Sequence, residues 1–206
     1  MSLKREIATD LYRIEAVQIK PNDPFTWTSG IKSPIYCDNR LTLSYPKVRD
    51  KVVQGFIEII NGMDQKPDVI AGCATAGIPH AAWLAQQLNL PMVYVRSKPK
   101  AHGKGNQIEG EISKGQKVIV IEDLISTGGS AINAAKALKD EGADVLSVLA
   151  IFSYGLQQTV TNFNAEGFSM QTITNFDILL EELIEVGKIS KKEKEDMIDW
   201  RDRLFT

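Results

Sequence analysis

Four short, almost unbroken apolar stretches constrain the fold of this chain more than any other feature. They read DVIAGC, MVYVRS, KVIVIED and DVLSVLAIFSY and cover residues 68–73, 92–97, 117–123 and 144–154. Runs of this kind are typical of strands buried on both faces, as in parallel sheets covered by helices. Segments with helical spacing lie between them, around residues 77–89 and 129–141. The alternation predicts an α/β fold with a mostly parallel central sheet, flanked by helices and joined by right-handed crossovers.

Weaker patterns surround this core. An amphipathic helix is predicted over residues 3–17, because apolar residues recur there at helical spacing between charges. Aromatic and β-branched residues predict a hairpin-like unit, and Pro46 opens a predicted helix. The remaining predicted elements are the two hairpin strands at 25–30 and 33–38, the helix at 46–62, a strand at 169–175 and a terminal helix at 190–204.

Composition excludes several classes of protein. The 206 residues are 43% hydrophobic and 24% charged with a net charge of −2, which is ordinary for one globular domain and gives no basis for a nucleic-acid or membrane-surface partner. No apolar run approaches the roughly 20 residues that span a bilayer. The two cysteines, Cys37 and Cys73, are too few for a disulfide framework or a thiolate zinc site. A reducing, cytoplasmic location is expected.

The segment VIVIEDLISTGGS at residues 118–130 carries the clearest chemistry. Glu122 and Asp123 come at the expected end of a buried strand, where ligands bind in sheets of this type. A turn rich in glycine and hydroxyl groups follows and leads into a helix. Glycines let the backbone approach an anion, and a helix N-terminus offers free N–H groups. The segment therefore predicts a phosphate site beside two acids that a strand twist lets reach one ligand.

This segment resembles the signature of the type I phosphoribosyltransferases, which bind phosphoribosyl pyrophosphate (PRPP). The resemblance implies that Glu122 and Asp123 hold the ribose hydroxyls, with Asp123 among the catalytic residues. It also implies that the turn wraps the 5′-phosphate. The residues of this turn are Leu124, Ile125, Ser126, Thr127, Gly128, Gly129 and Ser130.

The segment RSKPKAHGKGNQIEG at residues 96–110 follows another predicted strand. It is basic and contains several glycines. It resembles the mobile loop that closes over the active site in orotate phosphoribosyltransferases and reaches into the neighbouring subunit of a dimer. The resemblance implies that Arg96, Lys100 and His102 contact the pyrophosphate, with Lys100 and His102 catalytic. Closing out solvent strengthens such charge contacts. His102 is a candidate proton donor to pyrophosphate, and a plain hydrogen-bonding role is equally consistent with its position.

The residues that recognise the base must lie mainly outside the phosphate turn. Residues 25–40, FTWTSGIKSPIYCDNR, are similar to the N-terminal hood of orotate phosphoribosyltransferases. That similarity assigns Tyr36, Cys37, Ser126 and Tyr154 to the orotate site. The stretch GCATAGIP at residues 72–79 resembles the pyrophosphate-side loop. The chain carries uncharged residues at several places where some relatives have a cation, so how the orotate carboxylate is held stays open. These residues are Thr28, Ala76, Ser97 and Tyr154, and Thr75 is the expected pyrophosphate contact beside Ala76.

Together these resemblances imply an orotate phosphoribosyltransferase that forms orotidine 5′-monophosphate and acts in pyrimidine (UMP) biosynthesis. Mg²⁺ is the expected cofactor, held mainly by PRPP and water rather than directly by the protein. The expected organisation is a single domain with a helix and hood at 1–40, a PRPP-binding core at 41–175 and C-terminal helices at 176–206. Two alternatives remain at this point: a transferase for another base, and a non-catalytic regulator that keeps the PRPP fold. A P-loop kinase is excluded because the GxxxxGK[ST] pattern is missing.

Overall fold

The computed structural model describes residues 2–26, 32–98 and 106–204. Its helices are α1 (Leu3–Arg13), α2 (Pro46–Asn61), α3 (Gly77–Leu88), α4 (Gly129–Asp140), α5 (Gln157–Glu166), α6 (Phe176–Glu185), α7 (Lys191–Asp202) and a 3₁₀ helix (Asn39–Ser44). Its strands are β1 (Val17–Ile19), β2 (Phe25–Thr26), β3 (Lys32–Ser33), β4 (Ile35–Cys37), β5 (Val69–Cys73), β6 (Met92–Val95), β7 (Ile108–Glu109), β8 (Lys117–Ile125), β9 (Asp144–Ser153) and β10 (Met170–Asn175). No helix within these ranges has the length and apolar character that a bilayer crossing demands.

The predicted central sheet is present, and the described residues give it six strands in the order β10-β9-β8-β5-β6-β7. All neighbouring strands are parallel except β6 and β7, which are antiparallel. The chain leaves β5 toward β6 on one side and later returns to β8 on the other side. The crevice between the carboxyl ends of β5 and β8 is therefore the switch point at which sheets of this kind bind ligands.

Both faces of the sheet are covered, which explains the unbroken apolar runs. Alternate residues of each central strand belong to two separate core clusters. On β8, for example, Ile119 and Ile121 pack in one cluster, and Val118 and Val120 pack in the other. Burying an aliphatic side chain of this size contributes about 1.5–3 kcal/mol. A strand placed between two helical layers is therefore apolar at nearly every position.

The hood differs from the single hairpin-like unit that the sequence predicts. The predicted second strand, 33–38, divides into β3 and β4, and these pair with different partners: β3 with β2, and β4 with β1. Pro34 lies between β3 and β4 and has no N–H to donate to a ladder. The first helix ends at Arg13 rather than near residue 17 because the chain turns at Glu15, whose φ is +60°, and enters β1.

Two elements near the predicted site were not predicted, in addition to β1 and the 3₁₀ helix. Residues 108–109, expected within a loop, form β7 and pair with β6 at the edge of the sheet. Helix α5 was missed because only two of its residues, Thr159 and Phe163, are buried, so its sequence has little helical periodicity. Both elements lie next to the ends of strands that carry predicted site residues.

Candidate active site

A cleft of about 230 Å³ opens at the switch point of the sheet. It is formed by the hood, the connection between β5 and α3, the end of β8 and the start of α4. The residues that line it are Cys37, Asp38, Arg40, Ala74, Thr75, Ala76, Glu122, Asp123, Leu124 and Ser130. A peptide bond in the cis form joins Ala74 to Thr75 at its edge. Predicted contacts from three separate parts of the sequence therefore meet in one place.

A larger surface cleft of about 500 Å³ lies beside the end of α2. The charged residues among its described lining are the acids Glu58 and Asp64, which would repel a phosphate. The smaller cleft at the switch point is the better candidate for an anionic ligand, because its lining includes a cation and hydroxyl groups.

Glu122 and Asp123 both line the candidate cleft, although neighbouring residues of a strand point to opposite faces. Glu122 is only 6% exposed. Its Oε1 accepts a hydrogen bond from the Asp123 N–H at 3.0 Å, and its Oε2 accepts one from Ser130 Oγ at 3.3 Å. Burial raises the pKa of Glu122 to about 8, and the neighbouring Asp123 carboxylate contributes in the same direction. The pair therefore combines a protonated acid with a half-buried carboxyl group at neutral pH.

This raised pKa predicts a pH-dependent stability difference. The pKa of Glu122 in the folded protein, about 8, lies above its usual 4.5, so between these values the folded state keeps a proton that the unfolded state has lost. The resulting stabilisation is complete below pH 4.5 and is lost as the pH rises toward 8. We expect Glu122→Gln, which mimics the protonated acid, to gain stability relative to the original protein over this range.

Urea unfolding of both proteins along this pH range measures the difference. Buried His80, whose pKa is lowered to about 4, titrates in both proteins and cancels from the comparison. Two stability curves that stay parallel across the window would contradict the raised pKa.

The turn after β8 is open to an anion. Gly128 has a φ of +87°, a left-handed conformation that favours glycine, and is the N-cap of α4. No side chain in the described part of the chain caps this helix, and no acid lies in its first turn. A Cβ atom added at Gly129 would meet nothing within 4 Å. Because the first N–H groups of a helix have no intrahelical acceptor, the turn presents donors toward free space.

The other predicted turn residues differ from one another in their exposure. Leu124 and Ser130 line the cleft, and Ser126 is exposed. Thr127 is half-buried. Ile125 is 1% exposed and packs in the core, so only its main chain is available to a ligand.

Close packing brings α3 against the acidic strand. A Cβ atom at Gly77 would clash with the main-chain oxygen of Ile121 and lie 3.3 Å from the Cα of Glu122. Glycine is therefore required where the pyrophosphate-side loop enters α3. Thr75, which is exposed, lines the same cleft as the two acids.

Asn39 connects the hood to the acidic strand, and the sequence reasoning did not single it out. Asn39 is fully buried, and its Nδ2 donates to the Asp123 main-chain oxygen at 2.7 Å. Thr42 Oγ1 donates to the Asn39 main-chain oxygen at 2.6 Å. Arg40, also missed, is the one cation among the described residues that line the cleft. The available signal was the polar run Asp38-Asn39-Arg40 directly after a hood strand.

The two hood residues assigned to the base are neighbours on β4, and Cys37, unlike Tyr36, is among the residues that line the cleft. Tyr36 is 43% exposed, and its ring centroid is 5.7 Å from that of Phe25. Cys37 is half-buried, and its Sγ donates to Asn39 Oδ1 at 3.3 Å. Burial and then the charge of Asp123 raise the pKa of the Cys37 thiol well above its usual value. Cys37 therefore stays a neutral thiol and is not activated as a nucleophile.

Tyr154 lies behind this surface rather than on it. It is 5% exposed and packs edge-to-face on Phe152, with ring centroids 6.0 Å apart. Burial raises the pKa of its phenol, as do the nearby Cys37, Tyr36 and Asp123. Tyr154 is thus a neutral group close to the predicted base contacts, and it is not among the residues that line the cleft.

Arg96 is the part of the predicted basic loop that the structure describes at its N-terminal end. Its Nη1 lies 3.6 Å from Glu109 Oε1, and its N–H donates to the Gln107 main-chain oxygen at 2.9 Å. The preceding residue, Val95, accepts a hydrogen bond from the Ala74 N–H at 2.9 Å, so the loop begins beside the pyrophosphate-side loop. The predicted contacts Lys100 and His102 lie outside the described residues, as does Thr28.

The fold and the cleft together place the chain in the class of phosphoribosyltransferases, and the family model of the phosphoribosyl transferase domain matches residues 45–175. An orotate phosphoribosyltransferase of Oceanobacillus iheyensis is 56% identical over 202 residues, covering 98% of this chain and 100% of the relative. One of Staphylococcus haemolyticus is 55% identical with the same coverage. The crystal structure of orotate phosphoribosyltransferase from Aeropyrum pernix matches 89% of this chain and 99% of its own, at 28% identity and a TM-score of 0.75. The chain belongs to the orotate phosphoribosyltransferases, which confirms the resemblance seen in its sequence.

Proposed function

We infer that this chain is a pentosyltransferase that moves the 5-phosphoribosyl group of PRPP to N1 of orotate. The products are orotidine 5′-monophosphate and pyrophosphate, in the pathway of UMP biosynthesis. One observation carries the inference: the paired acids line one cleft together with Leu124 and Ser130, the first and last residues of the glycine turn, in a chain whose relatives of that name match it over almost its full length. A transferase for another base and a non-catalytic regulator, the two alternatives from the sequence, are not favoured by these relatives.

In the proposed reaction, the bond between C1 of the ribose and the pyrophosphate oxygen breaks, and its electron pair leaves with the pyrophosphate. A bond from N1 of orotate to the same carbon forms through a transition state with oxocarbenium character, as in glycosyl transfer generally. The N1–H bond of orotate breaks in the same reaction, and its proton passes to solvent or to the departing pyrophosphate. The enzyme's tasks are alignment of the two substrates and stabilisation of the leaving group.

Each group has a proposed role. Glu122 and Asp123 hold the ribose hydroxyls, and the N–H and hydroxyl groups of residues 124–130 bind the 5′-phosphate. Thr75 and Arg96 contact the pyrophosphate together with Lys100 and His102. For orotate, the proposed contacts are the main chain near Tyr36 and Cys37, the Ser126 hydroxyl and the vicinity of Tyr154. The raised pKa of Glu122 supports a role as hydrogen-bond donor as well as acceptor toward a sugar hydroxyl.

Mg²⁺ belongs to the proposal as a cofactor that PRPP brings with it. Carboxyl oxygens are the ligands that Mg²⁺ prefers, and the cleft presents those of Asp38, Glu122 and Asp123. Among the described residues, no three His, Cys, Asp or Glu side chains are grouped to hold a metal ion. Asp38 and Asp123 would hydrogen-bond the water shell of such a metal, which PRPP would hold directly. Bound Mg²⁺ would neutralise charge on the pyrophosphate.

We further propose a homodimer in which the 96–110 loop closes over the partner's cleft. Large exposed apolar side chains are concentrated in the hood and its 3₁₀ helix, which supports a covered surface there. These side chains are Tyr36, Leu41, Leu43 and Tyr45. A cytoplasmic location is proposed on the basis of two free thiols, Cys37 and Cys73. The proposed single unit of hood (1–40), core (41–175) and C-terminal helices (176–206) is supported by the Trp200 Nε1 bond to the Lys32 main-chain oxygen.

The decisive experiment follows the ultraviolet absorbance of orotate with PRPP, with and without Mg²⁺. We expect orotate to be consumed only when PRPP is present, and the rate to fall sharply when Mg²⁺ is chelated. Adenine, guanine, hypoxanthine and uracil serve as competing bases in parallel assays. Turnover of a purine without turnover of orotate would overturn the proposed base, and tight PRPP binding without turnover of any base would overturn the catalytic function.

A further inference from the structure

Two carbonyl groups of the phosphate turn are held from behind by helix α5. Thr159 Oγ1 donates a hydrogen bond to the Ser126 main-chain oxygen, and Asn162 Nδ2 donates one to the Thr127 main-chain oxygen at 2.9 Å. Thr159 is 1% exposed. The two donors are three residues apart and so share one face of the helix. That face is turned toward the predicted 5′-phosphate site, although it comes more than thirty residues later in the chain.

Because of the geometry of a trans peptide, these two bonds also fix the direction of the N–H groups that follow the bonded carbonyls. The carbonyl of one residue and the N–H of the next lie in one plane and point in opposite directions. A bond that fixes the Ser126 carbonyl toward α5 therefore fixes the Thr127 N–H away from it. In the same way, the bond to the Thr127 carbonyl fixes the Gly128 N–H. Without these bonds, the same peptides are free to turn a carbonyl oxygen toward an anion.

Neighbouring side chains hold α5 and its donors in place. Gln158 Nε2 donates to Asn162 Oδ1 at 2.7 Å, which leaves the Asn162 Nδ2 group directed at the turn. Phe163 packs so closely on the turn that a Cβ atom at Gly128 would lie 2.5 Å from its Cε2. The support is thus made of hydrogen bonds and a tight aromatic contact, and none of these side chains is among the residues that line the cleft.

We propose that Thr159 and Asn162 are positioning residues that direct the N–H groups of Thr127 and Gly128 toward the 5′-phosphate of PRPP. The proposal rests on the proposed function, because it assumes that the turn binds this phosphate. It assigns a role in substrate binding to a helix outside the acidic strand and its turn. It predicts a selective effect: loss of either donor weakens binding of the phosphorylated sugar and leaves binding of the base intact.

The experiment uses two variants and two matched controls on the same helix. Thr159→Val and Asn162→Leu each remove one donor while keeping similar size. Thr161→Val and Asn164→Leu make the same replacements at exposed positions, where Thr161 Oγ1 bonds only within α5, to the Gln157 main-chain oxygen at 3.1 Å. Isothermal titration with ribose 5-phosphate and steady-state kinetics with PRPP and orotate are measured for these four variants, for the conservative Thr159→Ser and for the unaltered protein.

For each donor variant we expect the Kd of ribose 5-phosphate and the KM of PRPP to rise on the order of tenfold. A change of this size corresponds to the loss of one hydrogen bond near a charged group. The KM of orotate should stay at its original value. Thr159→Ser, which keeps the hydroxyl, should bind PRPP as tightly as the unaltered protein. The controls should behave like the unaltered protein.

The remaining outcomes count against the proposal in distinguishable ways. Donor variants that bind ribose 5-phosphate as tightly as the controls would overturn the positioning role and leave the proposed function standing. An equal rise in the KM of both substrates would indicate general damage and would also overturn it. An unaltered protein that fails to bind ribose 5-phosphate and PRPP would remove the proposed function and this inference together. If Thr159→Val does not fold, Asn162→Leu still decides the question, because Asn162 is only half-buried and supplies its own donor to the turn.

Discussion

Replacing Asp123 by Asn is expected to lower kcat/KM for PRPP on the order of 100-fold, because a hydrogen bond to a charged acceptor contributes about 1.5–3 kcal/mol and each 1.4 kcal/mol is tenfold. Asp123 lines the cleft beside Glu122, whose raised pKa leaves it largely protonated at neutral pH. The Asp123 carboxylate is then the stronger acceptor for a ribose hydroxyl. The amide of Asn keeps the shape of the side chain and loses the charge.

The fold should survive this replacement. The link between the hood and the acidic strand uses the Asp123 main-chain oxygen, which accepts from Asn39 Nδ2 at 2.7 Å and is unchanged in the variant. Steady-state kinetics with varied PRPP, together with thermal unfolding, measure both effects. Asp144→Asn is a suitable control because Asp144 is exposed at the start of β9, the opposite end of the sheet. PRPP kinetics in Asp123→Asn that match this control would refute the ribose assignment.

Replacing Lys100 by Ala is expected to lower kcat by about 100- to 1,000-fold, the range observed when one donor to a developing negative charge is removed. The expectation comes from the sequence, in which Lys100 lies in the basic segment that follows β6. Its proposed partner is the departing pyrophosphate, which gains charge only as the bond to C1 breaks. The Kd of orotate should therefore change much less than kcat.

Rapid-quench or absorbance kinetics and orotate titration separate these two quantities. Lys114→Ala removes the same charge from an exposed turn before β8 and should leave both unchanged. A Lys100→Ala protein with undiminished kcat would contradict the role of the loop as a lid.

The same two variants test whether the loop is shared between subunits. If Lys100 of one protomer serves the cleft that contains Asp123 of the other, a mixed dimer of Asp123→Asn and Lys100→Ala has one site with both substitutions and one intact site. Random exchange should then restore about one quarter of the original activity, because half of the dimers are mixed. Activity that stays at the level of the separate variants would exclude the shared loop.

The sequence alone determined the parts of this protein that depend on local pattern. Unbroken apolar runs at residues 68–73, 92–97, 117–123 and 144–154 predicted the parallel sheet, because strands between two helical layers have no polar face. The acids of 122–123 and the glycine turn after them predicted a phosphate site at a strand end, and their resemblance to a known signature predicted the family. Each of these signals lies within about a dozen consecutive residues.

Only the tertiary structure decided what depends on contacts between distant residues. Asn39 reaches Asp123 across 84 positions, and Thr159 reaches Ser126 across 33. The raised pKa of Glu122 comes from burial, and burial is a property of the packed molecule. The hood forms two separate antiparallel pairs, β1 with β4 and β2 with β3, instead of the single hairpin that the sequence predicts. The chain encodes these contacts, but free energies of about 1 kcal/mol per hydrogen bond favour them only after the sheet has brought the partners together.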